Sequence, residues 1–246
     1  MIGSARGRLL LAVGAFFLVV PLHAEQEHHP GQASLGLALA GGGALGFAHI
    51  GVIEVIEELG LSPEIVVGTS MGSIVGALYA AGYSPAEIVA IAESVRWNRV
   101  LFNERDREEL SYKERRYDRL YRARVQISRG GVFLGGGAST AQAVVEVLDD
   151  LLRYYAPIGS FSALPRSLAI VATDLVSGEE VVYTDGDLKS AIRASIAVPG
   201  AFEPLYYDGR FLIDGGWSNN MPVDVAIERG AENVIAVNLS LLDRTA

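Results

Sequence analysis

The sequence predicts an α/β fold built around a mainly parallel central sheet, and three observations carry that expectation. Leu35–Ala40, Leu168–Thr173 and Val234–Leu239 are short runs that are apolar on both sides, as strands buried within a parallel sheet are. Two strands run directly through glycine-rich turns into helical segments, at Gly41-Gly42-Gly43-Ala44-Leu45-Gly46 and at Gly68-Thr69-Ser70-Met71-Gly72. The first strand, loop and helix, with the strand that follows, occupy about 35 residues, the size of a right-handed crossover. Half of the 246 residues are hydrophobic and 28 are glycine, which suits one sizeable core with tight strand-to-helix turns.

Residues 1–24 read as a targeting segment. Arg6 and Arg8 form a basic start, and Leu9 to Val20 form an apolar run. Pro21-Leu22-His23-Ala24 then offers a cleavage site ending in a small residue. The run falls short of the roughly twenty residues that cross a bilayer, so export is expected, with an uncleaved anchor as the alternative. Its removal takes away two arginines and no acid, moving the net charge from −9 to −11. Such an acidic chain is repelled by phosphate backbones, and no nucleic-acid partner is expected. The absence of cysteine excludes disulfides, a thiol nucleophile, Cys-based zinc sites and a cysteine-linked lipid anchor. Residues 25–34 read as a polar linker whose His28 and His29 are solvated rather than metal ligands.

From the first strand the elements follow in order. A helix is expected with Ala48, Val52, Val55, Ile56 and Leu59 on its buried face and Glu54, Glu57 and Glu58 outside, ending at Gly60. The strand through Val66-Val67 leads to a helix from Met71 to about Ala81. Ser84-Pro85-Ala86-Glu87 opens another, with Ser84 as N-cap, Pro85 in the first turn and Glu87 completing a capping box. Arg96 to Arg129 carries eleven Arg/Lys and six Asp/Glu, with Trp97, Phe102, Tyr112, Tyr117 and Tyr121 interleaved. As part of an insertion over 96–137 it reads either as a solvated, charged segment or as a lid facing a membrane. Gly135-Gly136-Gly137 reads as a hinge before a helix from Ala141 to Tyr154. Val181–Thr184 is a strand, Leu188–Ala197 a helix closed by Pro199, and Tyr206–Phe211 a hairpin turning on Asp208-Gly209. Pro222 to Arg229 is helical, and no internal repeat interrupts the series.

The chemistry centres on Gly68-Thr69-Ser70-Met71-Gly72, which has the form of a nucleophile elbow and makes Ser70 the candidate nucleophile. A Ser-His-Asp arrangement cannot follow in the usual chain order, because His23, His28, His29 and His49 all precede Ser70. His49 is assigned to packing or to the helix end. A carboxylate must then activate the serine directly. Asp214, at a strand end before Gly215-Gly216, is the candidate base; burial and a short Ser–Asp hydrogen bond would narrow the gap in pKa between it and the serine hydroxyl. Asp174, also at a strand end, is the weaker rival and is given a structural role. Gly41, Gly42 and Gly43, at a helix N-terminus, supply backbone N–H groups for an oxyanion hole. The same stretch fits G-x-G-x-x-G, but no carboxylate ends the following strand where a dinucleotide ribose would need one.

Taken together, Ala40–Gly46, Gly68–Gly72 and Asp214-Gly215-Gly216 resemble the glycine block, elbow and catalytic aspartate of the patatin-like phospholipase family, here a bacterial, signal-bearing member. Ala172-Thr173-Asp174-Leu175, Ala197–Phe202 and Asn219–Val223 resemble further blocks, and the likeness runs from about Leu35 to Leu239. Leu45 departs from the family, which usually carries Arg or Lys there. The resemblance implies a three-layer α/β/α fold, a Ser70–Asp214 dyad, and hydrolysis of phospholipid or another fatty-acyl ester through an acyl-enzyme, with no metal or cofactor. The targeting segment sets the expected location as periplasmic, secreted or outer-membrane associated, and the lid reading of the charged segment would add peripheral membrane contact. A non-catalytic lipid- or membrane-binding module is the alternative.

Overall fold

The computed structural model describes residues 34–97, 124–128, 131–135, 142–153 and 159–239. The targeting segment, nearly all of the linker and most of the charged insertion lie outside the described residues. Nine strands are seen: β1 Leu35–Leu39, β2 Ile65–Thr69, β3 Arg124–Ser128, β4 Gly131–Gly135, β5 Ser167–Asp174, β6 Glu180–Tyr183, β7 Leu205–Tyr207, β8 Arg210–Asp214 and β9 Asn233–Val237. The α-helices among the described residues are α1 Ala48–Glu58, α2 Met71–Ala80, α3 Pro85–Ser94, α4 Gln142–Leu151, α5 Leu188–Ser195 and α6 Val223–Glu228. The pair β3–β4 is an antiparallel hairpin inside the charged insertion, an element that the charge pattern there did not suggest. Gly135, expected to begin a hinge, is the last residue of β4.

The central sheet has a parallel core in the order β9-β1-β2-β5. Its register explains how two distant parts of the chain meet. β2 pairs with β5 from Ile65↔Ser167 to Thr69↔Val171. β8 then pairs antiparallel with Ala172, Thr173 and Asp174, beginning at Ala172↔Asp214. β6 pairs with Ile170 to Thr173 and so occupies the other edge of β5 there, across the point where β2 gives way to β8. β2 and β8 therefore share one edge, meeting end to end. Ser70 follows the last paired residue of β2, and Asp214 is the last residue of β8.

Alternate strand residues go to opposite faces, as the pleat requires. Val66, Leu168 and Ile170 join a core with Ile53, Ile74 and Ile192, while Ile65, Val67, Ala169 and Val171 pack with Val225 and Ala226 of α6. This is the expected three-layer α/β/α arrangement. All ten residues of α2 are buried, consistent with an apolar run of small residues lying across the middle of the sheet. The Ser84 capping box forms as expected, with the Ser84 N–H lowering the pKa of Glu87. The hairpin turns on Asp208 (φ 51°) and Gly209 (φ 76°), the two positive φ values of the predicted Asp-Gly turn.

One expectation is corrected. The buried face of α1 is His49, Ile50, Ile53 and Ile56, whereas Val55 and Leu59 are exposed. α1 has apolar residues on nearly every side, so its own pattern does not choose a face. The core it packs into does, where Ile50, Ile53 and Ile56 join Ile74 of α2 and Ile88 of α3; just before α1, Gly46 lies so close to Met71 that an added Cβ would stand 2.1 Å from the Met71 Cγ.

The same close approach recurs under the elbow. A Cβ on Gly72 would lie 2.3 Å from the Leu39 carbonyl oxygen, a backbone atom held in the sheet. Gly72→Ala is expected to lose about 1–3 kcal/mol from this overpacking. Gly51→Ala, at an open, exposed position of α1, is expected to gain about 0.5–1 kcal/mol from helix propensity. Urea unfolding of both variants checks the pair, and an unchanged midpoint for Gly72→Ala would contradict the packing.

Candidate active site

Ser70 occupies the junction of β2 and α2 with φ 54° and ψ −123°, a conformation that costs a non-glycine residue about 1–3 kcal/mol. It is 8 % exposed, and its carbonyl accepts the Ser73 N–H at 2.8 Å and the Ser73 hydroxyl at 2.6 Å. The strain is held because Gly68 and Gly72 allow strand and helix to pass within backbone contact. The elbow anticipated from Gly-x-Ser-x-Gly is therefore present as geometry.

Asp214 arrives beside it on the edge of β5 described above. Its backbone N–H donates to the Ala197 carbonyl at 3.0 Å, and its own carbonyl accepts the Thr173 hydroxyl at 2.9 Å. Oδ1 accepts the Gly216 N–H at 2.8 Å, while Oδ2 is buried with no hydrogen-bond partner among the described residues. Burial pushes the carboxyl above its ordinary pKa of 3.8, and the neighbouring Ser70 hydroxyl and Gly216 N–H oppose that rise. A buried carboxylate with one oxygen unpartnered is an uncommon expense in a folded chain, of the kind found where a group is kept for chemistry.

The glycine loop completes a cleft of about 510 Å³ lined by Gly41, Gly42, Gly43, Ser70 and Asp214, with Val198, Gly216, Trp217 and Asn220. The structure separates the three glycines by the work of their N–H groups. Gly41 N–H donates to the Asn220 carbonyl at 3.4 Å, whereas those of Gly42 and Gly43 have no acceptor among the described residues. A Cβ on Gly41 would fall 2.6 Å from the Asn220 Oδ1 and 3.0 Å from the Ser70 Cβ, so only glycine lets the loop lie against the elbow.

His49 takes the packing role expected of it. It is fully buried, its Nε2 donates to the Ala40 carbonyl at 2.8 Å, and burial lowers its pKa, keeping it neutral. It thus ties α1 to the residue immediately before the glycine loop. Asp174 accepts the Val176 and Ser177 N–H groups at 2.8 and 3.4 Å, a turn-forming role. Among the described residues no cluster of three or more His, Asp or Glu is placed to hold a metal.

Two residues with no assigned role in the sequence reading also reach the site. Ser195, fully buried at the end of α5, accepts the Ser70 N–H on its Oγ at 2.8 Å and donates to the Val171 carbonyl at 2.6 Å. Asn220 touches both the glycine loop and the turn after Asp214, its Nδ2 donating to the Gly41 carbonyl at 3.5 Å. Asn220 stands in a stretch that the resemblance had marked, but Ser195 carries no local signal beyond a hydroxyl at a helix end.

The family model for patatin-like phospholipase matches residues 37–227, which include the glycine loop, the elbow and Asp214. The chain belongs to that family. An uncharacterized NTE family protein of Mycobacterium tuberculosis is 34 % identical over 206 residues, covering 84 % of this chain and 49 % of that protein. The patatin-like phospholipase domain-containing protein 6 of Mus musculus is 31 % identical over 233 residues, 86 % of this chain and 14 % of its own length. This patatin-like chain thus spans half or less of the length of these relatives. Among solved structures, VipD from Legionella pneumophila is similar at 17 % identity and a TM-score of 0.49, over 78 % of this chain and 47 % of that one.

The raised pKa of Asp214 has a definite sign for stability. Between 3.8 and the higher folded value, the native state binds more protons than the unfolded state, so stability falls as pH rises through that window. Asp214→Asn cannot ionise and escapes that loss. It is expected to melt at a higher temperature than the parent at pH 7, with the difference shrinking as pH falls through that window and gone below pH 3.8. Thermal melts of the two proteins across pH check this, and a variant that melts lower than the parent at pH 7 would contradict it.

Proposed function

We propose that this chain is a lipid acyl hydrolase of the phospholipase A or esterase type, acting on phospholipid or another fatty-acyl ester. The observation that carries the reading is the meeting of Ser70, a buried Asp214 with raised pKa, and the uncommitted N–H groups of Gly42 and Gly43 in one cleft. Family membership supports the same substrate class.

In the proposed reaction the Ser70 Oγ attacks the ester carbonyl carbon while its proton passes to Asp214, whose unpartnered Oδ2 is the acceptor. The tetrahedral oxyanion is held by Gly42 and Gly43 N–H, with Gly41 anchoring the loop through Asn220. Collapse breaks the C–O bond, and the leaving alcohol takes the proton back from Asp214. The acyl-Ser70 is then attacked by water, which gives a proton to Asp214; collapse frees the fatty acid and returns that proton to Ser70 Oγ. A buried carboxylate suits this work because burial narrows the gap in basicity between it and a serine hydroxyl.

The described rim favours an apolar partner. Trp217 is 68 % exposed and Val198 40 % at the cleft, and Leu45 is 54 % exposed beside the glycine loop. These residues support peripheral contact with a lipid surface. Residues 1–24 are proposed to direct export, and the charged insertion to form part of the membrane-facing side.

The test is hydrolysis of a short-chain fatty ester by the parent, Ser70→Ala and Asp214→Asn, together with labelling by a fluorophosphonate. The parent is expected to label stoichiometrically at Ser70, and each variant to lose roughly 10³-fold or more in kcat. The acid limb of kcat/KM is expected to fall above pH 3.8, because Asp214 must be ionised to act. Equal rates in all three proteins would overturn the reading. An unlabelled parent that still binds lipid vesicles would favour the non-catalytic alternative.

A further inference from the structure

The last turn of α5 does more than cover the sheet. Ser195 accepts the Ser70 N–H on its Oγ and donates its own O–H to the Val171 carbonyl, so the hydroxyl bridges the elbow to β5. Two residues on, the Ala197 carbonyl accepts the Asp214 N–H at 3.0 Å. One short stretch, Ser195 to Ala197, therefore grips the backbone of both halves of the candidate dyad. Val171 is also the residue opposite Thr69, the last paired residue of β2, and Ala172 beside it is opposite Asp214. The bridge is anchored where the two strands meet.

We propose that Ser195 is a positioning residue that holds Ser70 in its strained backbone conformation and sets its spacing from Asp214. This rests on the hydrolase reading given above. Ser70, with φ 54°, would relax if its N–H were free to find another acceptor. Ser195 supplies that acceptor in a fully buried setting where water does not substitute for it. Donation of its own proton to Val171 fixes the direction in which the Oγ lone pair points. An alanine in its place leaves one buried donor and one buried acceptor without partners and lets the elbow drift. A displacement of a reacting atom by about 1 Å costs up to roughly 10²-fold in rate while leaving the binding surface intact.

The test compares the full chain with Ser195→Ala and Ser195→Thr, and with Tyr83→Phe as a reference that removes a hydroxyl-to-carbonyl bond, Tyr83 to Leu151, away from the cleft. Ser195→Ala is expected to lower kcat about 10- to 100-fold on a soluble ester with KM within about twofold. The rate of fluorophosphonate labelling per folded molecule should fall in parallel. Amide hydrogen exchange at Ser70 should quicken, Ser195→Thr should restore part of the rate, and Tyr83→Phe should keep the parent kcat. Ser195→Ala with parent kcat, or with slow exchange at Ser70 retained, would overturn the proposal. So would a kcat deficit that disappears when rates are counted per labelled site, since that marks a loss of folded protein only. A parent inert to esters and to the fluorophosphonate would instead sink the hydrolase reading, and exchange at Ser70 would still decide whether Ser195 holds the elbow.

Discussion

Backbone hydrogen bonding along one edge of β5 decides where the candidate dyad stands. A parallel partner, β2, and an antiparallel partner, β8, share that edge in succession, and each ends at the point where they meet. Ser70 and Asp214, 144 positions apart, become neighbours because one follows Thr69 opposite Val171 and the other lies opposite Ala172. No side-chain attraction between them is needed to bring them together. The remaining features of the site refine a juxtaposition that the sheet ladder has already made, which is why the elbow can carry strain without losing its place.

That juxtaposition is costly in two ways, and the surroundings absorb both. Ser70 sits outside the usual backbone basins, and Asp214 is held away from water with one oxygen unpartnered. The first is offset by close packing of α2, all of whose residues are buried, against the sheet, through glycines that bring backbone to backbone. The second is offset in part by the Gly216 N–H on Oδ1. A site of this kind asks for a stable support, and α2 and β5 lie near the centre of the larger core.

Much of this was legible in the residues. Gly-x-Ser-x-Gly between an apolar strand and a helix, the Ser84 capping box and the Asp208-Gly209 hairpin are local devices whose conformational demands are written in the residue types themselves. The run of small apolar residues in α2 suits its full burial. The face of α1 was not legible, because Ile50, Val52, Ile53, Val55 and Ile56 leave its own pattern nearly without direction, and packing into the larger core with α2 and α3 makes the choice. The handover from β2 to β8 was also hidden, since strand order and register are long-range pairings that strand composition does not encode. Ser195 acts across 125 positions of sequence, and a serine at a helix end has too many ordinary explanations to be singled out.

The glycine loop shows how far three identical residues diverge once placed. Gly41, Gly42 and Gly43 look equivalent in sequence, and a nest of consecutive N–H groups is the natural reading of them. In the fold, Asn220 takes the first N–H and lays its amide over the Gly41 carbonyl, while His49 binds the Ala40 carbonyl just before. The loop is thereby held at its start by side chains from α1 and from the turn before α6. Its next two N–H groups are left without an acceptor among the described residues. A backbone donor without a partner is tolerated where a ligand will supply one, and the polar cost is lowest when the loop around it is already rigid. Pinning the first glycine and leaving the next two open serves both requirements, and it explains why the donors proposed for the oxyanion begin at Gly42 rather than at Gly41.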